Sequence, residues 1–299
     1  MSRSAAPDSR PWLALAWMMA AMASFVAMAI AGRAVSDEFT TFELMVYRSL
    51  IGWLIVLLAV LRLGQGFAPV HTRQFGRHMQ RNVVHYVGQN AWFYGVAAIP
   101  LAQLVALEMS NPIWVAVLAP LLLHESMTRT RALAALVGFL GVLVVARPGV
   151  SPLDLGHGAA LLAAVSFALT SIYTRRIVHD DSTLCLLFWM TLSQTVMSIA
   201  VSLASGGIPL PTAELLPWLV VAGFTGVSAH FALTSALAAA PATIVAPMEF
   251  LRLPVMALVG FALYGEPLDV FVLTGGAIII GGVLLNIVAE RRPREPGLR

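Results

Sequence analysis

Residues 97–112 read AAIPLAQLVALEMSNP, and residues 238–253, 141 positions further on, read AAAPATIVAPMEFLRL. Each stretch sets a proline after small residues (Pro100, Pro241) and a glutamate eight residues beyond it (Glu108, Glu249). The same offset brings Glu125 onto Glu266, and Gly141-Val142-Leu143 onto Gly282-Val283-Leu284. Matched alanines count for little in an apolar chain. Matched carboxylates count for more, because only 11% of the 299 residues are charged. The chain reads as one unit written twice.

Outward from that stretch, the composition is 59% hydrophobic with a mean hydropathy of +0.84. A soluble domain carries about 25% charged residues, so a bilayer is the solvent that suits this chain. Apolar runs of span length, divided by polar or Gly/Pro punctuation, fall at 12–32, 43–61, 82–99, 101–122, 131–147, 156–175, 183–205, 214–239, 242–264 and 268–288. At about 20 residues per span, ten spans consume nearly the whole chain and leave one transmembrane domain over 1–299. The first run follows Arg3 and Arg10 and contains Ala29-Ile30-Ala31, which resembles a signal-peptide cleavage site. Its apolar stretch is longer than the roughly 7–15 residues of a signal h-region, and it is read as an uncleaved helix.

Lysine is absent, and all eighteen basic residues are arginine. With the N-terminus inside, fourteen arginines fall in cytoplasmic segments, including Arg62, Arg73, Arg77 and Arg81, against only Arg33 and Arg147 outside. This places the chain in an inner membrane with both termini cytoplasmic. The arginines stand singly or in pairs between apolar runs and form no basic stripe, which excludes nucleic acid as a partner. The lone Cys185 permits no internal disulfide and is read as offering no metal cluster; no cofactor motif appears.

The expected fold is therefore an all-α membrane protein of ten transmembrane helices in two five-helix repeats, 12–147 and 156–288. An odd number of spans per copy makes the second copy enter from the opposite side. Inverted repeats are recurrent in secondary transporters, where two opposed copies exchange conformations.

The segments Leu122-Leu123-His124-Glu125 with Gly138-Phe139-Leu140-Gly141-Val142-Leu143, and Tyr264-Gly265-Glu266-Pro267-Leu268 with Gly281-Gly282-Val283-Leu284-Leu285, resemble the repeat ends of EamA-type drug/metabolite transporters. The resemblance covers essentially the whole chain. Ser126 follows Glu125 where the family has proline, so only Glu266-Pro267 carries the full signature. Membership implies export of amino acids or other metabolites, and the aromatic amino-acid exporters are one branch the chain resembles.

Charge at mid-bilayer costs about 2.5–3.5 kcal/mol on insertion scales, so each intramembrane polar group calls for a reason. Glu108 and Glu249 lie roughly 12 Å beyond their turns at about 1.5 Å of rise per residue. The offset matches Gln89 with His230 and Asn111 with Arg252, predicting a polar layer near the midplane. Glu249 and Arg252, at i and i+3, are expected to share a helix face, either as a self-neutralised strut or as part of the site. Glu108 has no cation one helical turn away. Arg48, near its span end, is expected to snorkel. Pro112 and Pro254 leave the carbonyls of Glu108 and Phe250 without intrahelical donors. Tyr86, Asn90 and Trp92 add aromatic and amide surface suited to an amphipathic organic molecule, with ordinary packing or an interfacial belt as the bland reading. Glu125 and Glu266 are read as structural, Glu266 as a cap ahead of Pro267. Glycines 138, 141, 275 and 282 are read as packing contacts.

The function expected is alternating-access transport of small amphipathic metabolites through a central cavity lined by Tyr86, Gln89, Asn90, Trp92, Glu108, Asn111, His230, Glu249 and Arg252. Protonatable Glu108, Glu249 and His230 permit proton coupling. No Walker motif supports ATP drive. The alternative is a membrane enzyme on a lipid-linked substrate, for which no hydrolase or zinc-protease motif appears.

Overall fold

The computed structural model describes residues 10–123, 129–147, 154–177, 180–240, 245 and 248–291. These form helices α1 (Pro11–Val35), α2 (Thr41–Arg62), α3 (Phe75–Ala98), α4 (Leu101–Glu108), α5 (Asn111–Leu123), α6 (Arg129–Ala146), α7 (Leu155–Arg175), α8 (Thr183–Ala204), α9 (Leu216–Ala239), α10 (Arg252–Tyr264) and α11 (Val270–Arg291). One 3-10 turn occupies Ala68–Val70, and no strand occurs among the described residues. Six of the helical stretches are long and apolar enough to cross a membrane: Trp12–Val35, Thr41–Arg62, Leu101–Ala119, Leu155–Arg175, Thr183–Ala204 and Leu216–Ala239. Shorter apolar helices run over Ala135–Ala146, Arg252–Tyr264 and Val270–Leu285.

Local chemistry sets the ends. At the start of α2, the Thr40 hydroxyl accepts from the Glu43 amide while the Glu43 carboxylate takes the Thr40 N–H at 2.7 Å, a reciprocal capping box. Asp154 opens α7 by accepting from the Gly156 amide at 2.9 Å. Helix α3 begins at Phe75, well before the expected 82, because its polar first turns are held by the loops around them.

The chain packs as two compact units, residues 1–83 with 177–252 and residues 84–176 with 253–299. Each unit draws on both sequence copies. In the first, α1 lies along α9, where Ser24 and Ser228 hydroxyls meet at 3.1 Å and Trp17 stands edge-on to Phe231. Helix α2 packs on α8 and α9 through glycines: a Cβ at Gly223 would sit 2.7 Å from Ile51, and one at Gly52 3.1 Å from Val227. Below these, Val56 and Val60 join Val70, Leu187, Phe188 and Met190 in a closed apolar cluster.

In the second unit α6 lies along α11, and Gly141 and Gly275 form the point of closest approach. Arg147, past the end of α6 with φ 44°, pairs with Asp269, which also caps α11 through the Phe271 amide. Helix α3 meets α7 at Gly88, where a Cβ would be 2.8 Å from Ser166. The 141-residue offset carries Ser24 to position 165 and position 87 to Ser228. The α1–α9 contact and the α3–α7 contact are thus the same contact made once in each unit.

Candidate functional site

The stretch expected as one span over 101–122 is two helices. Helix α4 ends at Glu108, Met109 and Ser110 form a turn, and α5 starts at Asn111 with Pro112 in its first turn. Proline supplies no N–H to the ladder, and the chain closes the gap locally. The Ser110 hydroxyl donates to the Leu107 carbonyl at 2.6 Å and accepts the Trp114 indole N–H at 3.2 Å. At the break, the buried Glu108 carboxylate accepts the Trp92 indole N–H at 2.9 Å. Trp92 is only 3% exposed and packs edge-on against Phe93, so it is no interfacial belt residue. Along the same helix, Tyr86, Gln89 and Asn90 are buried, and the Asn90 amide donates to the Tyr86 carbonyl at 2.9 Å. His85 lies against Phe167, ring centres 5.5 Å apart. Asn111 reaches the Ala164 carbonyl of α7 at 3.2 Å. In this unit, then, Trp92 and Glu108 are brought together, with Asn90 two residues and Tyr86 six residues before Trp92 on α3.

The helix break recurs 141 residues on. Met248 and Glu249 are helical, Phe250 and Leu251 turn, and α10 starts at Arg252. The expected common helix face of Glu249 and Arg252 is therefore interrupted between them, because Pro254 offers no N–H to the Phe250 carbonyl. Glu249 is exposed where its counterpart Glu108 is buried. The Arg252 guanidinium sits over the Phe25 ring at 4.9 Å, a cation–π contact. Glu125 and Pro241 lie outside the described residues.

Two arginines depart from expectation. Arg48 does not snorkel: it is 4% exposed, its guanidinium laid on α9 at Gly226, where a Cβ would stand 2.8 Å from Nη2. Arg81, expected among the cytoplasmic cations, is also buried, and donates to the Asn82 side chain at 3.0 Å. Asn82 in turn donates to the Trp189 carbonyl at 3.0 Å. His230, half-buried one turn from Gly226 on α9, lies in the field of both arginines. The first unit thus carries two buried arginines, Arg48 and Arg81, whose charges reach His230.

Sequence reasoning also missed the α2–α8 seam. Gln194, Ser198 and Ser202 on α8, and Ser49 and Trp53 on α2, have buried polar atoms with no hydrogen-bond partner among the described residues. Their neighbours Thr191, Ser193 and Thr195 each donate back to the preceding turn. The signal was present as polar residues at positions 191, 194, 195, 198 and 202, a helical spacing in an apolar span.

The repeat-end signature has a physical explanation. Gly265 adopts φ 65°, which glycine takes without penalty, and the Glu266 amide closes on the Gly260 carbonyl at 3.1 Å. That turn carries the Glu266 carboxylate to the Leu101 amide, 2.8 Å away, at the start of α4. Glu266 caps, as expected, but it caps a helix of the other copy; α11 takes Asp269 for its own cap.

The sequence profile of the EamA-like transporter family matches residues 12–147 and again residues 154–288. The chain belongs to that family. This EamA-like chain is 30% identical over 235 residues to a riboflavin transporter of Brucella anthropi, covering 77% of this chain and 82% of that one. It is 25% identical over 280 residues to an S-adenosylmethionine uptake transporter of Rickettsia bellii, covering 94% and 95% of the two chains. An uncharacterized transporter of Helicobacter pylori is 30% identical over 266 residues, 85% of this chain and 88% of that one. A solved protein structure of 17% identity superposes with a TM-score of 0.65 over 95% of this chain and 99% of its own, which bears on the fold alone. The protein is a multi-pass membrane transporter of small molecules and not an enzyme. The alternative of a lipid-linked enzyme is set aside on the same relatives, none of which is named for amino-acid export.

Proposed function

We propose that this transporter takes up a metabolite built from a planar nitrogen heterocycle and a polar or charged tail. The observation that carries the reading is the buried Trp92–Glu108 pair at the α4–α5 break, flanked by Tyr86, Gln89 and Asn90 on α3. Indole and phenol faces stack on a planar ring, while the carboxylate and amides take its N–H groups or a cationic tail. Riboflavin and S-adenosylmethionine, the cargoes named for two relatives, share that chemistry. Uptake is favoured over the export expected from the sequence because one of those names specifies uptake.

In the first unit, the guanidinium groups of Arg48, Arg81 and Arg252 are suited to an anionic group, and His230 and Glu249 add further polar positions. S-adenosylmethionine carries an amino-acid end, so this reading keeps what was expected for amino-acid recognition and changes the rest of the molecule. The proposed mechanism is alternating access by ten spans in two inverted copies, in an inner membrane with both termini cytoplasmic. The doubled family match, the recurrent helix break and the recurrent helix contact support it. Discontinuous helices of this kind line ion and substrate sites in other transporters.

Uptake of labelled riboflavin, S-adenosylmethionine, nucleosides and aromatic amino acids into proteoliposomes, with and without a pH gradient, tests substrate class and coupling together. Saturable uptake of a heteroaromatic is expected, with Tyr86→Ala, Glu108→Gln and Arg252→Ala each reducing it at normal expression. Transport of phenylalanine or tyrosine but of no heterocycle would overturn the substrate class. Normal uptake by all three variants would remove the assigned residues.

A further inference from the structure

We propose that His78, Asp181 and Cys185 form a binding site for one zinc-class divalent cation, at the end of the first unit that carries the arginine-rich 62–81 connection. The three donor atoms lie within 4.8 Å of one another, and His78 and Cys185 are fully or almost fully buried. Local structure explains the convergence. Ser182 caps α8, its hydroxyl accepting from the Cys185 amide at 3.2 Å, and Asp181 and Cys185 fall one turn apart. His78 comes from the first turn of α3. The sequence gives no warning of this, since it shows one cysteine and two distant segments.

Two of the donors, His78 and Asp181, are already held together. His78 Nε2 and the Asp181 carboxylate are 2.8 Å apart, and the Thr72 hydroxyl donates to the same carboxylate oxygen at 2.7 Å. Burial acts to raise the Asp181 carboxyl, but the hydrogen bonds from Thr72 and His78, with the charges of His78 and His71, hold it below its ordinary value. Cys185 Sγ faces the Val70 carbonyl at 3.5 Å, and the Trp189 indole N–H takes that carbonyl at 2.9 Å. Imidazole, carboxylate and thiolate together suit a borderline-soft cation and not Mg²⁺ or Ca²⁺.

On binding, the cation takes Nε2, one carboxylate oxygen, Sγ and a water. The Cys185 S–H bond breaks and its proton leaves to solvent, while the imidazole proton passes from Nε2 to Nδ1. The thiolate and carboxylate then neutralise the double charge. The first coordination sphere, at about 2.0–2.3 Å per bond, separates Nε2 and the oxygen slightly and draws Sγ inward. The first turn of α3 and the start of α8 become cross-linked, adding to the contacts Thr72–Asp181 and Gln74 to Asp180 at 2.7 Å that already join the segments before them. The proposal is independent of the substrate reading.

The test uses the full chain, purified in detergent and stripped with a chelator, titrated with Co²⁺ as an optical probe and then Zn²⁺. One equivalent of Co²⁺ with a thiolate-to-metal charge-transfer band, displaced by Zn²⁺, is expected, together with a thermal midpoint raised by Zn²⁺ and not by Mg²⁺. Cys185→Ser and His78→Gln, the latter keeping a donor to Asp181, should lower Co²⁺ affinity by at least the roughly 10- to 100-fold that loss of a mere supporting residue costs. Absence of the band in a wild-type protein that elutes as a single species would overturn the proposal. So would a band or Zn²⁺ shift unchanged in both variants, which would place the metal elsewhere.

Discussion

Gly141→Ala should destabilise the protein although alanine is the better helix former. A Cβ at Gly141 would lie 2.7 Å from the Gly275 carbonyl oxygen and 2.8 Å from the Ile279 amide nitrogen. Both are backbone atoms of α11, so no side-chain rotation relieves the contact. Ordinary contact begins near 3.4 Å, so α6 and α11 must part by roughly 0.7 Å. An opening of 0.5–1 Å forfeits about a quarter to a half of each dispersion contact along the seam. Overpacking of this kind costs about 1–3 kcal/mol, against a gain of about 0.5–1 kcal/mol for replacing a helical glycine. The net expectation is a loss of about 1–2 kcal/mol. Gly281→Ala, in α11 itself, is the internal control: no atom lies within 4 Å of its Cβ, so only the helix gain remains. Thermal midpoints in one detergent compare them, with Gly141→Ala falling and Gly281→Ala holding or rising. Gly275→Ala meets the Gly141 carbonyl across the same seam, so the double variant should cost less than the sum of the singles. Two midpoints moving in the same direction, or strict additivity of the pair, would refute the packing argument.

Glu266→Ala removes the carboxylate from the Leu101 amide and should cost about 0.5–2 kcal/mol in thermal stability, as loss of a helix cap does, with Glu266→Gln recovering most of it. Gly226→Ala puts a methyl 2.8 Å from Arg48 Nη2 and should displace the guanidinium, lowering transport of an anionic-tailed substrate more than that of a neutral one; equal effects on both would disconnect Arg48 from recognition. Gln194→Met deletes two buried amide atoms that have no partner among the described residues and should raise stability by about 1–3 kcal/mol while depressing uptake. A lower midpoint would show that the amide is bonded in the folded protein.

The architecture was legible in the sequence wherever one property decides it. Apolar runs are local and need no long-range contact to be read, and the described helices lie along them. The helix breaks were half legible: Pro112 and Pro254 announced missing bonds, but a kinked helix and a broken one have the same sequence. Glu108 stood out because a carboxylate is costly in a bilayer, although its hydrogen bond to Trp92 could not be read from the sequence. Arg48 was misplaced because its burial depends on Gly226, nearly 180 residues away, and no local pattern couples them. Arg81 was misplaced because hydropathy put the span start one residue after it, whereas α3 begins at Phe75. The cap from Glu266 to Leu101 is likewise a long-range choice, made by a turn at Gly265.

The two copies agree in backbone and disagree in chemistry. Breaks after Glu108 and Glu249 and small-residue helix contacts recur at one offset, yet Glu108 is buried and Glu249 exposed, Gln89 answers to His230, and Asn111 to Arg252. The two requirements on a transporter of this kind differ in just this way. The proposed exchange of conformations between inverted copies calls for equal mechanics, and the recurrent breaks and contacts agree with that. A cargo with a heterocycle at one end and a charge at the other has no symmetry, so equal side chains would bind it in two competing orientations. The copies do differ in chemistry: the first sets a buried carboxylate and aromatic faces around Glu108, and the second sets a guanidinium at Arg252 where the first has Asn111. A duplicated polar layer would have been the sign of a symmetric cargo or of none. The divergence at matched positions accords with the proposed cargo, whose two ends differ.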